Sequence, residues 1–216
     1  AAMALSTVVL LPGLWVPAAF MAPMARRIAR CGYRVERFSY PSMRRTLDEN
    51  AEALAAFCAS ITDRPLHLVA HSMGGLVVMR ALDRAPHLDV RRAVLVGTPF
   101  ANCHAARRLA RLPGGAALLG KSMPQWLCQA AHVAAGPCEI GVIAGDLSVG
   151  LGRLVAPDIQ RPNDGVVSVD ETAVPGMRDR VVLHVSHTAM LFSRRVTEAA
   201  CAFLAHGRFR ATERVA

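Results

Sequence analysis

The run LHLVAHSMGGLVVM at 66–79 holds one residue placed to act as a nucleophile, Ser72, in a turn of small residues between two apolar runs. A strand that turns sharply into a helix can hold a serine hydroxyl clear of the backbone. Strand and helix then lie close together, so the positions two before and two after the serine must be small. Here they are Ala70 and Gly74. A serine hydroxyl at neutral pH is a poor nucleophile. It needs a neighbouring base, and the base needs an orienting acid.

At AHSMGG the chain resembles the α/β-hydrolase superfamily, and within it the small bacterial lipases and esterases. Ala70 departs by one methyl from the glycine usual there. The resemblance implies a chain order of serine, then Asp or Glu, then histidine, with the base in a loop just past the last strand. The histidines after the turn are His87, His104, His132, His184, His187 and His206. His184 lies inside the apolar run Val181–Val185 and reads as packed or solvent-facing. His187, two residues past that run in VSHTAML, is the chosen general base. For the acid, Asp164 sits in RPNDGVVSV, where Gly165 permits a tight bend. The same N-D-G-hydrophobic pattern carries the acid in the lipases this chain resembles. Asp146, directly after the run Ile140–Ala144, is a rival, and Asp158 a weaker third.

A tetrahedral intermediate carries a negative oxygen that needs N–H donors aimed at it. The resemblance assigns them to the backbone of Met73 and of Leu14. Leu14 follows Pro12-Gly13 in LLPGLW, where the family usually has His-Gly. Trp15 then lines an acyl pocket, with Leu118, Met123 and Trp126 as further candidates. The related lipases often hold calcium through an aspartate two residues after the histidine. That position is Ala189, so no metal or other cofactor is expected.

These residues need elements to position them. Thr7–Leu11, Tyr33–Phe38, Leu66–Ala70, Val90–Val96, Ile140–Ala144 and Val181–Val185 read as strands. Phe20–Cys31, Thr46–Ile61, Met73–Asp83 and Ala189–His206 read as helices. The alternation predicts an α/β fold: one domain over 1–216, a mostly parallel sheet of about six strands, and helices on both faces. Residues 98–139 interrupt it as a candidate lid or cap, and the Gly-, Pro- and Asp-rich stretch 145–180 reads as a long loop.

Composition narrows the alternatives. Of the 216 residues 53% are hydrophobic, enough for a large core. The net charge of +9 is carried almost wholly by arginine in scattered ones and twos, and aromatics are 5%, so a nucleic-acid surface is not indicated. Gly97-Thr98-Pro99 lacks the lysine and spacing of a phosphate loop. Cysteines 31, 58, 103, 128, 138 and 201 form no C-x-x-C pair. Cys31, Cys58 and Cys201 read as small core residues. Residues 1–25 carry Pro12, Gly13, Pro17 and Pro23 and no basic residue ahead of the apolar run, unlike an export signal or membrane span. The expectation is a cytoplasmic protein with reduced thiols. The activity expected is hydrolysis of a small carboxylic ester through an acyl-enzyme. An acyltransferase or thioesterase on the same triad, or a non-catalytic binding protein with this fold, is the alternative.

Overall fold

Six short runs rich in valine and leucine become the strands: β1 (Thr7–Leu11), β2 (Arg34–Arg37), β3 (Leu66–His71), β4 (Val90–Val96), β5 (Glu139–Gly145) and β6 (Asp179–Leu183). The computed structural model describes residues 6–128, 136–150 and 152–210. The strands form one fully parallel sheet in the order β2-β1-β3-β4-β5-β6. Alternate side chains enter two cores. Val9, Leu11, Leu68, Ala70 and Leu95 face one, and Val8, Leu10, Val69, Val94 and Ile143 the other. Helices α1 (Ala22–Arg30) and α8 (Arg194–His206) pack together, and α2 (Leu47–Ser60) packs on α3 (Met73–Arg84). The sheet is thus buried on both faces.

The strand order reverses around β1, so the loops after β1 and β3 diverge. The crevice outside the carboxyl ends of such a pair is where open parallel sheets hold their ligands. Both the Pro12–Trp15 loop and Ser72 lie there.

Three element expectations shift. The last strand is Asp179–Leu183 rather than Val181–Val185, because it pairs residue for residue with Gly141–Gly145 and turns at once as Val185 N–H bonds Leu183 O (2.8 Å). His184 therefore stands beyond the strand. The last helix is broken: Ala189–Leu191 is a 3-10 turn, and α8 starts afresh after Ser193, whose hydroxyl caps Val196 N–H (3.3 Å). The first helix likewise opens with a 3-10 turn, Ala18–Met21, before Pro23 enters α1 near its start.

Cys31 and Cys201 form a disulfide that ties α1 to α8, which corrects their reading as core thiols in a reduced protein. Cys31 caps the exposed end of α1 rather than entering the core. Cys58 is a buried free thiol as expected, and burial pushes its pKa up to about 12. Cys103, Cys128 and Cys138 are also free.

The candidate lid holds α4 (His104–Ala110), α5 (Gly115–Leu118) and α6 (Ser122–Cys128), and its residues 129–135, with His132, lie outside the described residues. Helix α6 is fixed to α2: Asn50 Nδ2 donates to Ser122 Oγ (2.9 Å), and Asp48 N–H donates to Gln125 Oε1 (3.0 Å). Helix α4 is held to the 145–180 loop, where the Glu171 carboxylate accepts from His104 N–H (2.6 Å) and His104 pairs with Asp158 (3.2 Å). A short helix, α7 (Gly152–Val155), lies in that loop. Among the described residues no helix is long and apolar enough to cross a membrane.

Candidate active site

Ser72 stands between β3 and α3 with φ +52° and ψ −125°, a conformation unusual for a residue with a Cβ. The neighbourhood shows why small residues are needed. A Cβ on Gly74 would lie 2.5 Å from Pro12 O, and one on Gly13 would lie 2.9 Å from the Ser72 Cβ. The strain is held by hydrogen bonds on both sides. Ser72 N–H donates to Val96 O (2.8 Å), and Thr98 Oγ1 donates to Ser72 O (3.0 Å). Gly75 makes room for Thr98, since any Cβ there would collide with the threonine side chain.

His187 Nε2 lies 3.0 Å from Ser72 Oγ, and His187 Nδ1 lies 2.7 Å from Asp164 Oδ2. An ionised carboxylate only accepts hydrogen bonds. Nδ1 must therefore carry the proton, which leaves a lone pair on Nε2 facing the serine hydroxyl. Asp164 is 1% exposed, and its other oxygen accepts Val166 N–H (2.9 Å) and Val167 N–H (2.7 Å). Its carbonyl accepts His187 N–H (2.9 Å), so side chain and backbone both hold the histidine. Gly165 (φ +95°) supplies the bend after it.

The rival carboxylates are engaged elsewhere. Asp146 bonds His184 Nδ1 (2.8 Å), and His184 is largely exposed. Asp158 is out among His104 and Arg108, and the His104 contact holds its carboxyl below the usual range.

Leu14, one of the two expected oxyanion donors, lines the cavity beside Ser72, and the other, Met73, directly follows Ser72. Met73 opens α3, so its N–H has no partner inside the helix. Among the described residues neither N–H donates to another protein group. Tyr40 Oη donates to Pro12 O (2.7 Å) and so fixes the Leu14 loop.

The site opens into a cavity of about 360 Å³. Trp15 and Met123 line it, together with Leu109, Leu119, Val149 and Leu191. Two expected lining residues do not. Leu118 is 54% exposed, and its carbonyl accepts from Trp15 Nε1 (2.8 Å). Trp126 turns into the core against Phe100 (5.3 Å between rings) because α6 presents that face to α2. Leu119, one residue on from Leu118, takes the pocket position.

Two further residues support the site. A Cβ on Gly97 (φ +58°) would crowd Met190 Sδ, His187 Nδ1 and Asp164 Oδ2, at 3.0, 3.2 and 3.3 Å, so the pair would have to give by a few tenths of an ångström. A glycine ending a central strand was the available signal. His71 is the other. Its Nε2 lies 3.0 Å from His187 O, so Nε2 donates and Nδ1 is bare. Desolvation, then the nearby His187 ring, push the His71 pKa down to about 3. It is a neutral, buried strut under the loop that carries His187. In sequence it reads only as part of the AHSMGG turn, just past the expected strand Leu66–Ala70.

A profile described as "Alpha/beta hydrolase family" matches residues 8–215. The chain belongs to the alpha/beta hydrolase family. No curated protein matches it. Among solved structures it is similar to the mature form of the Bacillus licheniformis lipase BlEst2, with TM-score 0.75 and 19% identity over 94% of this chain and 92% of that one. It is similar also to the metagenomic carboxyl esterase MGS0156, with TM-score 0.64 and 19% identity over 86% and 65%. A third is the NocB thioesterase domain from a nocardicin cluster, with TM-score 0.63 and 17% identity over 93% and 94%. At these identities the likeness is one of fold.

Proposed function

We propose that this family member is a serine hydrolase that cleaves small carboxylic esters bearing an apolar acyl group. The observation that carries the reading is the continuous chain Ser72–His187–Asp164, with contacts of 3.0 and 2.7 Å at the mouth of an apolar cavity. Ser72 Oγ attacks the ester carbonyl carbon while His187 Nε2 takes the hydroxyl proton. Asp164 stabilises the imidazolium that forms and keeps its orientation. The carbonyl oxygen gains negative charge against the Leu14 and Met73 N–H groups, and the α3 N-terminus adds a favourable dipole. His187 then gives its proton to the leaving alkoxide, and the alcohol departs from an acyl-Ser72 ester. Water, deprotonated by His187, attacks that ester. Collapse returns the proton to Ser72 and releases the acid.

Ala105, Ala106 and Leu109 of α4, with Leu119 and Met123, line part of the cavity, which supports the reading of this segment as a cap. A thioester is chemically accessible to the same steps, and the thioesterase domain among the similar folds favours it as the second reading. The Cys31–Cys201 disulfide supports residence in an oxidising compartment in place of the cytoplasm. The test is hydrolysis of p-nitrophenyl and matched thiol esters by the protein and by Ser72→Ala. Loss of ester turnover in a folded Ser72→Ala protein supports the reading. Equal turnover in both overturns it.

A further inference from the structure

The mouth of the cavity carries large apolar side chains that both line it and face solvent. Trp15 (57% exposed) does so from the loop after β1 and Val149 (60%) from the loop after β5. Leu118 (54%) adjoins Trp15 through its carbonyl, and Leu154 (81%) projects from α7, whose Gly152 and Val155 line the cavity. A soluble protein rarely gathers its exposed large apolar residues around one opening without a partner.

The charge around that opening is mostly positive, and its exposed carboxylate, Asp158, is taken up by His104 and Arg108. Segments 12–19, 101–128, 147–150 and 152–157 supply much of the opening, and 39–45 lines the adjoining groove. They contain no Asp or Glu, but two arginines in 39–45, four cations in 101–128 and one arginine in 152–157. Arg44, Arg111, Lys121 and Arg153 are exposed and form no ion pair among the described residues. Glu49, which feels Arg45 and Lys121, is occupied by Thr46 at the start of α2. Arg44 lines a groove that shares Trp15 and Val16 with the mouth.

We propose that the mouth docks on an anionic lipid surface, with Trp15, Leu118, Val149 and Leu154 entering the headgroup boundary and the surrounding cations meeting lipid phosphates. Apolar side chains interleaved with unpaired cations are the chemistry such a surface recognises. Docking aims the cavity at the bilayer, so the ester would be one presented there. That consequence rests on the esterase reading, but the docking itself does not.

The test is co-sedimentation of the full chain with phosphatidylcholine vesicles, with and without about 30% phosphatidylglycerol, in 0.05 and 0.5 M NaCl. Ser72→Ala is run in parallel. The expected result is binding to the anionic vesicles only, weakened by salt, equal in Ser72→Ala, and accompanied by a blue shift of Trp15 emission. The triple variant Arg111→Glu/Lys121→Glu/Arg153→Glu should lose at least about tenfold in partitioning, because each cation near an anionic surface contributes several-fold. It should keep hydrolysis of a soluble short-chain ester. Equal binding to neutral vesicles, or unchanged binding of the triple variant, overturns the proposal. So does capture by immobilised polyglutamate without vesicle binding, which would point to an acidic protein partner. Vesicle binding with no ester turnover would sink the esterase reading and leave the docking surface standing.

Discussion

Asp164→Asn keeps the shape of the side chain and removes its charge. The asparagine carbonyl can still accept from Val166 and Val167 N–H, at the 2.9 and 2.7 Å positions Asp164 Oδ1 now fills. That arrangement turns its NH2 toward His187 Nδ1, where a donor meets a donor. The histidine relieves the clash by moving its proton to Nε2. Nε2 then offers Ser72 Oγ, 3.0 Å away, a proton instead of a lone pair. Loss of the base in this way costs about 10⁴ in kcat, or about 5.5 kcal/mol of barrier. KM should change little, because Asp164 does not line the cavity. Stability should fall by the one charge-assisted hydrogen bond lost, about 1.5–3 kcal/mol. The protein therefore stays folded at 25 °C. The assay is kcat and KM on a p-nitrophenyl ester, with circular dichroism as the check on folding. Asp146→Asn is the control and should stay within about twofold, since its partner is the exposed His184. A folded Asp164→Asn protein that retains more than about a tenth of the wild-type rate would refute the reasoning.

Three other perturbations probe the supports. Gly74→Ala places a Cβ 2.5 Å from Pro12 O, so the Leu14 loop must move; kcat should drop by at least about tenfold with a stability loss of about 1–3 kcal/mol, and wild-type kinetics would contradict this. His71 has an ordinary pKa of 6.5 when unfolded and about 3 when folded, so between these values only the unfolded chain takes up the proton. Stability should therefore fall as pH drops through that window, by up to about 1.4 kcal/mol per pH unit. His71→Gln keeps a donor within reach of His187 O, so thermal melts from pH 4 to 7 should show a shallower slope with kcat kept, and an unchanged slope would count against the assignment. Reducing Cys31–Cys201, which closes 170 residues of chain, should lower Tm by roughly 5–15 °C, and a Tm indifferent to reductant would show the thiols unpaired.

Much of this was legible because local rules and tertiary demands agree. Val- and Leu-rich runs such as TVVLL have no stable place but a sheet buried on both faces, and β1 and β4 fall on the expected residues. The Ser72 turn is constrained so tightly that its small neighbours announce it. Asn-Asp-Gly announces the bend that aims Asp164. What was hidden depends on partners far along the chain. VVLHV is apolar enough to extend a strand, but β6 takes its register from β5, and that moved His184 outside and beside Asp146. Periodicity marks Leu118, Leu119 and Trp126 as apolar without saying which one α5 and α6 turn toward the cavity. Cys31 and Cys201 carry no shared spacing, and only the packing of α1 on α8 brings them together. His71 is only a member of the AHSMGG turn until the His187 carbonyl is placed against its ring.

The central claim is that Ser72 is a nucleophile activated by His187. Reaction with a fluorophosphonate, read by mass spectrometry of the labelled peptide, tests it most directly. The account predicts a single adduct on Ser72, formed rapidly in the native protein, and slower labelling by several orders of magnitude in His187→Ala and Asp164→Asn. No adduct on Ser72 in the folded protein, or labelling indifferent to the loss of His187, would contradict it.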